Sequence, residues 1–199
     1  MKLIQAFCLA ALFLFAACSD TSGPEGGGVE DGKFYYPELG LSIPIPKDWV
    51  VRPNKRPDAA PGAGEAAMEK KRVNRLLFTC LEKNNCNNSI LVVLQPTSPA
   101  RGGTDPQKHL QYLIDRQDEH HRQYQITGHY TKGTYKIGDK EFQSLTVKRQ
   151  NRNTQFQKLE QVFLFRIIGD QVLTITLNYE EERYKQAIME ALEDAEMKK

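Results

Sequence analysis

The stretch Gln157-Lys158-Leu159-Glu160-Gln161-Val162-Phe163-Leu164-Phe165-Arg166-Ile167-Ile168-Gly169-Asp170-Gln171-Val172-Leu173-Thr174-Ile175-Thr176-Leu177 decides the fold. From Val162 to Ile168 every position but Arg166 is apolar, so both faces of this segment need cover, as in a central strand between two layers. Gly169-Asp170 then interrupts the run with the chemistry of a tight hairpin turn, and a second strand follows.

Working outward, the same theme repeats upstream. Ile126 to Ile137 leads through Gly138-Asp139 into Glu141 to Lys148, a second hairpin, and the polar residues Asn151 to Thr154 turn the chain between the two. Downstream, Asn178 is expected to cap a last helix, with Glu180, Glu181 and Glu182 in its first turn and Tyr184, Ile188, Ala191 and Leu192 as its buried stripe. Before the hairpins, Thr104-Asp105-Pro106 is a helix start, with a capping oxygen ahead of Pro at the first helical position. Leu110, Leu113, Ile114 and His121 fall on one face of that helix.

Arg75 to Lys83 carries two patterns, since Val73, Leu76, Leu77, Cys80 and Leu81 fit a helical stripe while Leu76, Phe78 and Cys80 alternate. Ser89 to Gln95 is plainly a strand, and the Asn-rich run Glu82 to Asn88 suits a turn, so a hairpin is expected. Cys80 and Cys86 would face each other across its end. A disulfide there would close a very small loop, a local staple contributing about 2 kcal/mol. The spacing is not the C-x-x-C of a redox pair, and a zinc site would need two further ligands.

The folded part opens on Phe34-Tyr35-Tyr36-Pro37-Glu38-Leu39-Gly40. Leu41, Ile43 and Ile45 alternate with Ser42 and Pro44, which marks a half-buried strand placed at a sheet edge by its proline. Pro46-Lys47-Asp48 is turn chemistry, and Trp49 returns to the core. A leading aromatic, Leu39-Gly40-Leu41-Ser42-Ile43, then Pro46 and Asp48-Trp49 together resemble the opening motif of the PsbP-like superfamily, which includes envelope lipoproteins of the DcrB type. The resemblance covers Tyr35 to about Met197, with an insertion at Pro53 to Arg72. It implies an α+β fold, an α/β/α sandwich around a central, mostly antiparallel sheet, over a single domain at 34–199. It also implies a non-catalytic accessory or assembly role.

The N-terminus carries an address. An apolar run from Leu3 to Ala17 follows Lys2 and closes on Phe15-Ala16-Ala17-Cys18, after which the chain turns polar. The run is shorter than the roughly 20 residues that span a bilayer and reads as a signal peptide over 1–17. Cys18 directly after small residues resembles the lipobox of bacterial lipoproteins, which implies that Cys18 is acylated and becomes the mature N-terminus. Residues 18–33, acidic and Gly-rich, are expected to be a flexible tether. A periplasmic, lipid-anchored protein follows as the expectation. Ser19 after the cysteine, in place of Asp, leans towards the outer membrane over the inner one.

Of four cysteines, Cys8 leaves with the signal and Cys18 takes the lipid, so Cys80 and Cys86 remain to pair in an oxidising compartment. The charge balance, 27 basic against 25 acidic residues, argues against a general nucleic-acid binder. No cofactor is expected. Ser42, Ser89, Ser98 and Ser144 lack a G-x-S-x-G setting, and there is no P-loop or dinucleotide fingerprint. An envelope protein partner is expected instead, bound through Lys55, Arg56, Lys70, Lys71 and Arg72 of the long basic segment and through the strand turn with Lys148, Arg149 and Arg152. A second reading is a small-ligand or metal carrier using His109, His120 and His121. These lack H-E-x-x-H order, and adjacent helical histidines point about 100° apart.

Overall fold

The computed structural model describes residues 28–52, 75–83, 85–124, 126–151 and 158–198. In chain order these form β1 (Gly28–Glu30), β2 (Lys33–Tyr36), β3 (Leu41–Pro44), β4 (Trp49–Val51), β5 (Arg75–Glu82), β6 (Asn85–Pro96), α1 (Pro106–Tyr124), β7 (Ile126–Ile137), β8 (Lys140–Asn151), β9 (Lys158–Ile168), β10 (Gln171–Tyr179) and α2 (Glu182–Glu193). A seven-stranded sheet has the order β4-β5-β6-β10-β9-β8-β7, and a three-stranded sheet the order β1-β2-β3. Every described ladder is antiparallel. The α+β sandwich expected from the sequence is the fold observed.

The two-sided strand is β9. Phe163 and Phe165 face one apolar cluster with Leu145, Val147 and Leu110 of α1. Leu164 faces the other, with Leu173, Ile175 and Leu177 of β10, Ile188 and Leu192 of α2, and Phe34, Leu41 and Ile43 of the small sheet. The large sheet is thus covered by α1 on one face and by α2 with the small sheet on the other. Arg166, the polar exception in β9, donates from a terminal nitrogen to the Glu141 carbonyl at 2.8 Å.

Turn chemistry sets the registers. Ile137 pairs with Lys140 and Ile168 with Gln171, so Gly138-Asp139 and Gly169-Asp170 are two-residue loops. Gly138 and Gly169 both sit at φ +59° ahead of an Asp with ordinary φ, the arrangement of type II′ hairpins. Asp31-Gly32, with φ values of +48° and +71°, closes the β1–β2 hairpin. The tether expected over 18–33 therefore reaches no further than residue 27, because Gly28 to Glu30 pair with Lys33 to Tyr35 as backbone; residues 1–27, with Cys18, lie outside the described residues. The edge strand with Pro44 is β3, whose other side forms an isolated bridge from Ser42 to Glu196. Trp49 is buried against the larger core cluster as expected.

The ambiguous Arg75 to Lys83 segment gives strand β5, and Glu82 already pairs with Asn85 of β6, so most of the Asn-rich run lies in a strand and not in a turn. Asn87 and Asn88 instead hold the approach to α2. Asn87 Nδ2 donates to Glu180 Oε1 at 2.5 Å, and Asn88 Oδ1 accepts from the Glu180 amide at 3.1 Å. The cap expected from Asn178 is absent, since Asn178 lies within β10 and the α2 N-cap is Glu181, whose side chain makes no capping bond. Asp105 does cap α1, its Oδ1 accepting from the Gln107 and Lys108 amides at 2.9 and 3.3 Å. Asp105→Ala is therefore expected to lower unfolding free energy by about 1 kcal/mol, whereas Glu181→Ala changes it by less than about 0.5 kcal/mol. Urea denaturation of the two variants measures the difference.

Candidate functional site: a polar node beneath helix α1

The α1 face of the sheet is apolar at its centre and polar at one end, where a chain of hydrogen bonds crosses four strands and reaches the helix. Asn178 Nδ2 (β10) donates to Ser89 Oγ (β6) at 2.8 Å, and Asn178 Oδ1 accepts from Gln161 Nε2 (β9) at 2.7 Å. Gln161 Oε1 accepts from an Arg149 terminal nitrogen (β8) at 2.6 Å, and the same nitrogen donates to Gln117 Oε1 of α1 at 2.5 Å. Ser89 and Gln161 both stand directly opposite Asn178 in the ladders, so register alone aligns the first three members.

Arg149 is the charged centre of this chain. Its partners are neutral amides, its Nε is buried without a partner, and none of the ion pairs among the described residues includes it. Burial lowers its pKa to about 10, which leaves the guanidinium charged at neutral pH. This overturns its place in an exposed basic surface. Lys148 beside it points to the opposite face, as neighbouring strand residues must, and pairs with Glu160 at 3.3 Å. Glu160 Oε1 also accepts from Tyr179 Oη at 2.5 Å. Lys55, Arg56, Lys70, Lys71, Arg72 and Arg152 lie outside the described residues.

Two histidines flank Arg149. His121 is buried and lies against Gly128, the cross-strand neighbour of Arg149; a Cβ on Gly128 would fall 2.1 Å from His121 Cε1. Tyr130 Oη donates to Asp118 Oδ1 at 2.6 Å and stands 3.0 Å from His121 Nδ1. With its hydrogen committed to Asp118, Tyr130 accepts from Nδ1–H, which leaves His121 Nε2 a bare lone pair, buried and unpartnered. Burial first, then the Arg149 charge, lowers the His121 pKa to about 4, and both effects also lower that of His120. The His120 ring packs 4.7 Å from Tyr124, and its Nδ1 is likewise buried and unpartnered. Burial raises the Tyr130 pKa, with the bond to Asp118 adding to the shift.

His109 belongs elsewhere. It sits 4.8 Å from the Phe165 ring, and its Nδ1 donates to the Arg101 carbonyl at 2.9 Å, tying the turn before α1 to the helix. Twelve positions of helix separate it from His121, about 18 Å. The three histidines thus do not meet, and no group of three His, Cys, Asp or Glu side chains suited to a metal ion occurs among the described residues. The expected Cys80–Cys86 bridge is not formed. Cys80 is a free, buried thiol set opposite Ile90, and burial pushes its pKa up to about 12, so it is unreactive; the Cys86 side chain lies outside the described residues.

Sequence reasoning missed Gln117, Gln161 and Asn178 as a set. Each looks like an isolated polar residue, and only the strand register, with α1 laid over it, makes them neighbours.

No protein-family model matches the chain, and no curated protein matches it by sequence. Among solved structures it is similar to cyanobacterial PsbP (CyanoP) from Synechocystis sp. PCC 6803, with TM-score 0.52 and 12% identity over 88% of this chain and 100% of that one. It is also similar to LpqN of Mycobacterium tuberculosis, described as involved in cell envelope biogenesis, with TM-score 0.51 and 13% identity over 91% of this chain and 90% of that one. The chain has the PsbP-like fold.

Two outcomes follow for the node. Gly128→Ala drives a methyl into the His121 ring and is expected to cost about 1–3 kcal/mol by lifting the end of α1, read by urea denaturation. Because His121 titrates near 4 when folded against 6.5 ordinarily, the unfolded chain binds the extra proton between those values. Stability therefore falls as pH drops through that window, and His121→Gln flattens the dependence in denaturation curves collected from pH 7 to 4.

Proposed function

We propose that this chain is a lipid-anchored protein of the bacterial cell envelope, without catalytic activity, whose PsbP-like domain presents a protein-binding surface as an accessory or assembly factor. The observation that carries the reading is Phe15-Ala16-Ala17-Cys18 at the end of a short apolar run. A diacyl or triacyl chain at Cys18, at about 0.8 kcal/mol per buried methylene, makes attachment effectively permanent. Ser19 favours sorting to the outer membrane. The fold supports the reading through LpqN, a structural neighbour described as involved in cell envelope biogenesis.

The binding surface is assigned to the basic segment with Lys55, Arg56, Lys70, Lys71 and Arg72, together with Arg152 and the exposed Lys148 near the β8–β9 turn. Arg149 is left out, since its side chain is held beneath α1.

Cys18→Ser is expected to abolish palmitate labelling and release the protein from membranes. Reversal of the charges at Lys70, Lys71 and Arg72 is expected to remove a crosslinked partner from membrane pull-downs while labelling persists. Undiminished labelling of Cys18→Ser would refute the anchor, and an unchanged set of crosslinked proteins would refute the surface.

A further inference from the structure

We propose that the outer edge of strand β7 is a docking site for an extended acidic segment of a partner protein, which joins the large sheet as a further antiparallel strand. The site is separate from the basic segment and from the anchor, and rests on neither.

β7 ends the sheet order, and no described strand lies beyond it. It is 12 residues long, carries no proline, and its ladder with β8 runs from Ile126–Asn151 to Ile137–Lys140 without a register shift. The sheet's other edge, β4, has 3 residues. Ile137 and Lys140 close a two-residue turn and so exchange backbone bonds; alternation along the ladder then commits Thr131, Gly133 and Tyr135 to β8 as well. Gly128, Tyr130, Lys132, Thr134 and Lys136 therefore direct their N–H and C=O groups outward. Thr131 to Thr134 are exposed without interruption, and at Gly133 the exposed surface is the backbone itself. An unbulged row of outward backbone groups of this length is a template for one more strand.

Charge selects the occupant. Lys132 and Lys136 both belong to the outward set and share one face of the sheet, and neither enters an ion pair among the described residues. β7 has no carboxylate of its own. A second copy of β7 would therefore bring lysine to lysine. Two-fold pairing about Lys132 or Thr134 sets like charges directly opposite, and pairing about Gly133 gathers every lysine on one seam with nothing to neutralise it. An incoming strand with carboxylates four residues apart meets both lysines at once. The lysines thus exclude copies of this chain and admit an acidic strand, so that repulsion contributes to the specificity as well as attraction.

The test uses the full-length chain in detergent micelles, with backbone amide exchange along β7 followed by NMR. The probe is the end-blocked peptide Thr-Val-Glu-Val-Thr-Val-Glu-Val-Thr, whose carboxylates have the spacing of Lys132 and Lys136; a control peptide carries Lys in place of each Glu. In the free chain the amides of Lys132, Thr134 and Lys136 are expected to exchange quickly, and those of Thr131, Gly133 and Tyr135 slowly. Saturating acidic peptide should slow the first set at least about tenfold and leave the second unchanged, while the Lys peptide should slow neither. Combining Lys132→Glu with Lys136→Glu, both at exposed positions, should reverse that preference. Outward amides already protected in the dilute free chain would mean that the edge is covered from within, and protection that grows with protein concentration would assign it to a second copy. Either result overturns the proposal, as does an acidic peptide that protects the outward amides no better than the Lys peptide. These outcomes are read on the wild-type chain, so they hold even if the variant does not fold.

Discussion

The burial of β9 on both faces is the constraint on which the rest of the molecule depends. Phe163 and Phe165 can be dry only if α1 lies across one side of the sheet, and Leu164 only if α2 and the small sheet cover the other. That demand fixes the order of layers before any loop is considered. It also accounts for the small sheet, since Phe34, Leu41 and Ile43 supply apolar cover that a helix of α2's length leaves incomplete. Antiparallel hairpins then bring neighbouring strands together with two-residue turns, so most of the sheet is built from local connections.

What the sequence made legible were features whose cause is local. The Gly-Asp turns, the Asp105-Pro106 helix start and the apolar run of β9 each contain their own physical reason. Features whose cause is a distant partner were not legible. Asn178 has the residue type of a cap, yet its side chain is claimed by Ser89 and Gln161 across the sheet. Cys80 and Cys86 are close in sequence, but a shift in register near the end of the β5–β6 hairpin sets Cys80 against Ile90. His109, His120 and His121 share one helix, yet His109 bonds the turn before it while His121 lies against Gly128 of the strand beneath. In each case composition was informative about chemistry and silent about direction.

The pair Lys148-Arg149 shows the same limit for charge. Two cations in succession resemble a basic patch only while the chain is unfolded. In a strand they part to opposite faces, and here one meets Glu160 near the surface while the other enters a desolvated node. In an extended strand, successive basic residues therefore do not add up to one surface.

A desolvated guanidinium with no ion pair among the described residues depends on its hydrogen bonds. Removing such a group from water costs several kcal/mol, and two hydrogen bonds to neutral amides, at about 1.5–3 kcal/mol each, offset much of that. An apolar side chain at position 149 would avoid that cost but leave Gln117 Oε1 and Gln161 Oε1 without this donor. Those two bonds tie α1 to the sheet, since Gln117 lies on the helix and Gln161 on β9. Burial lowers its pKa only to about 10, so the guanidinium stays charged at neutral pH and both bonds are charge-assisted.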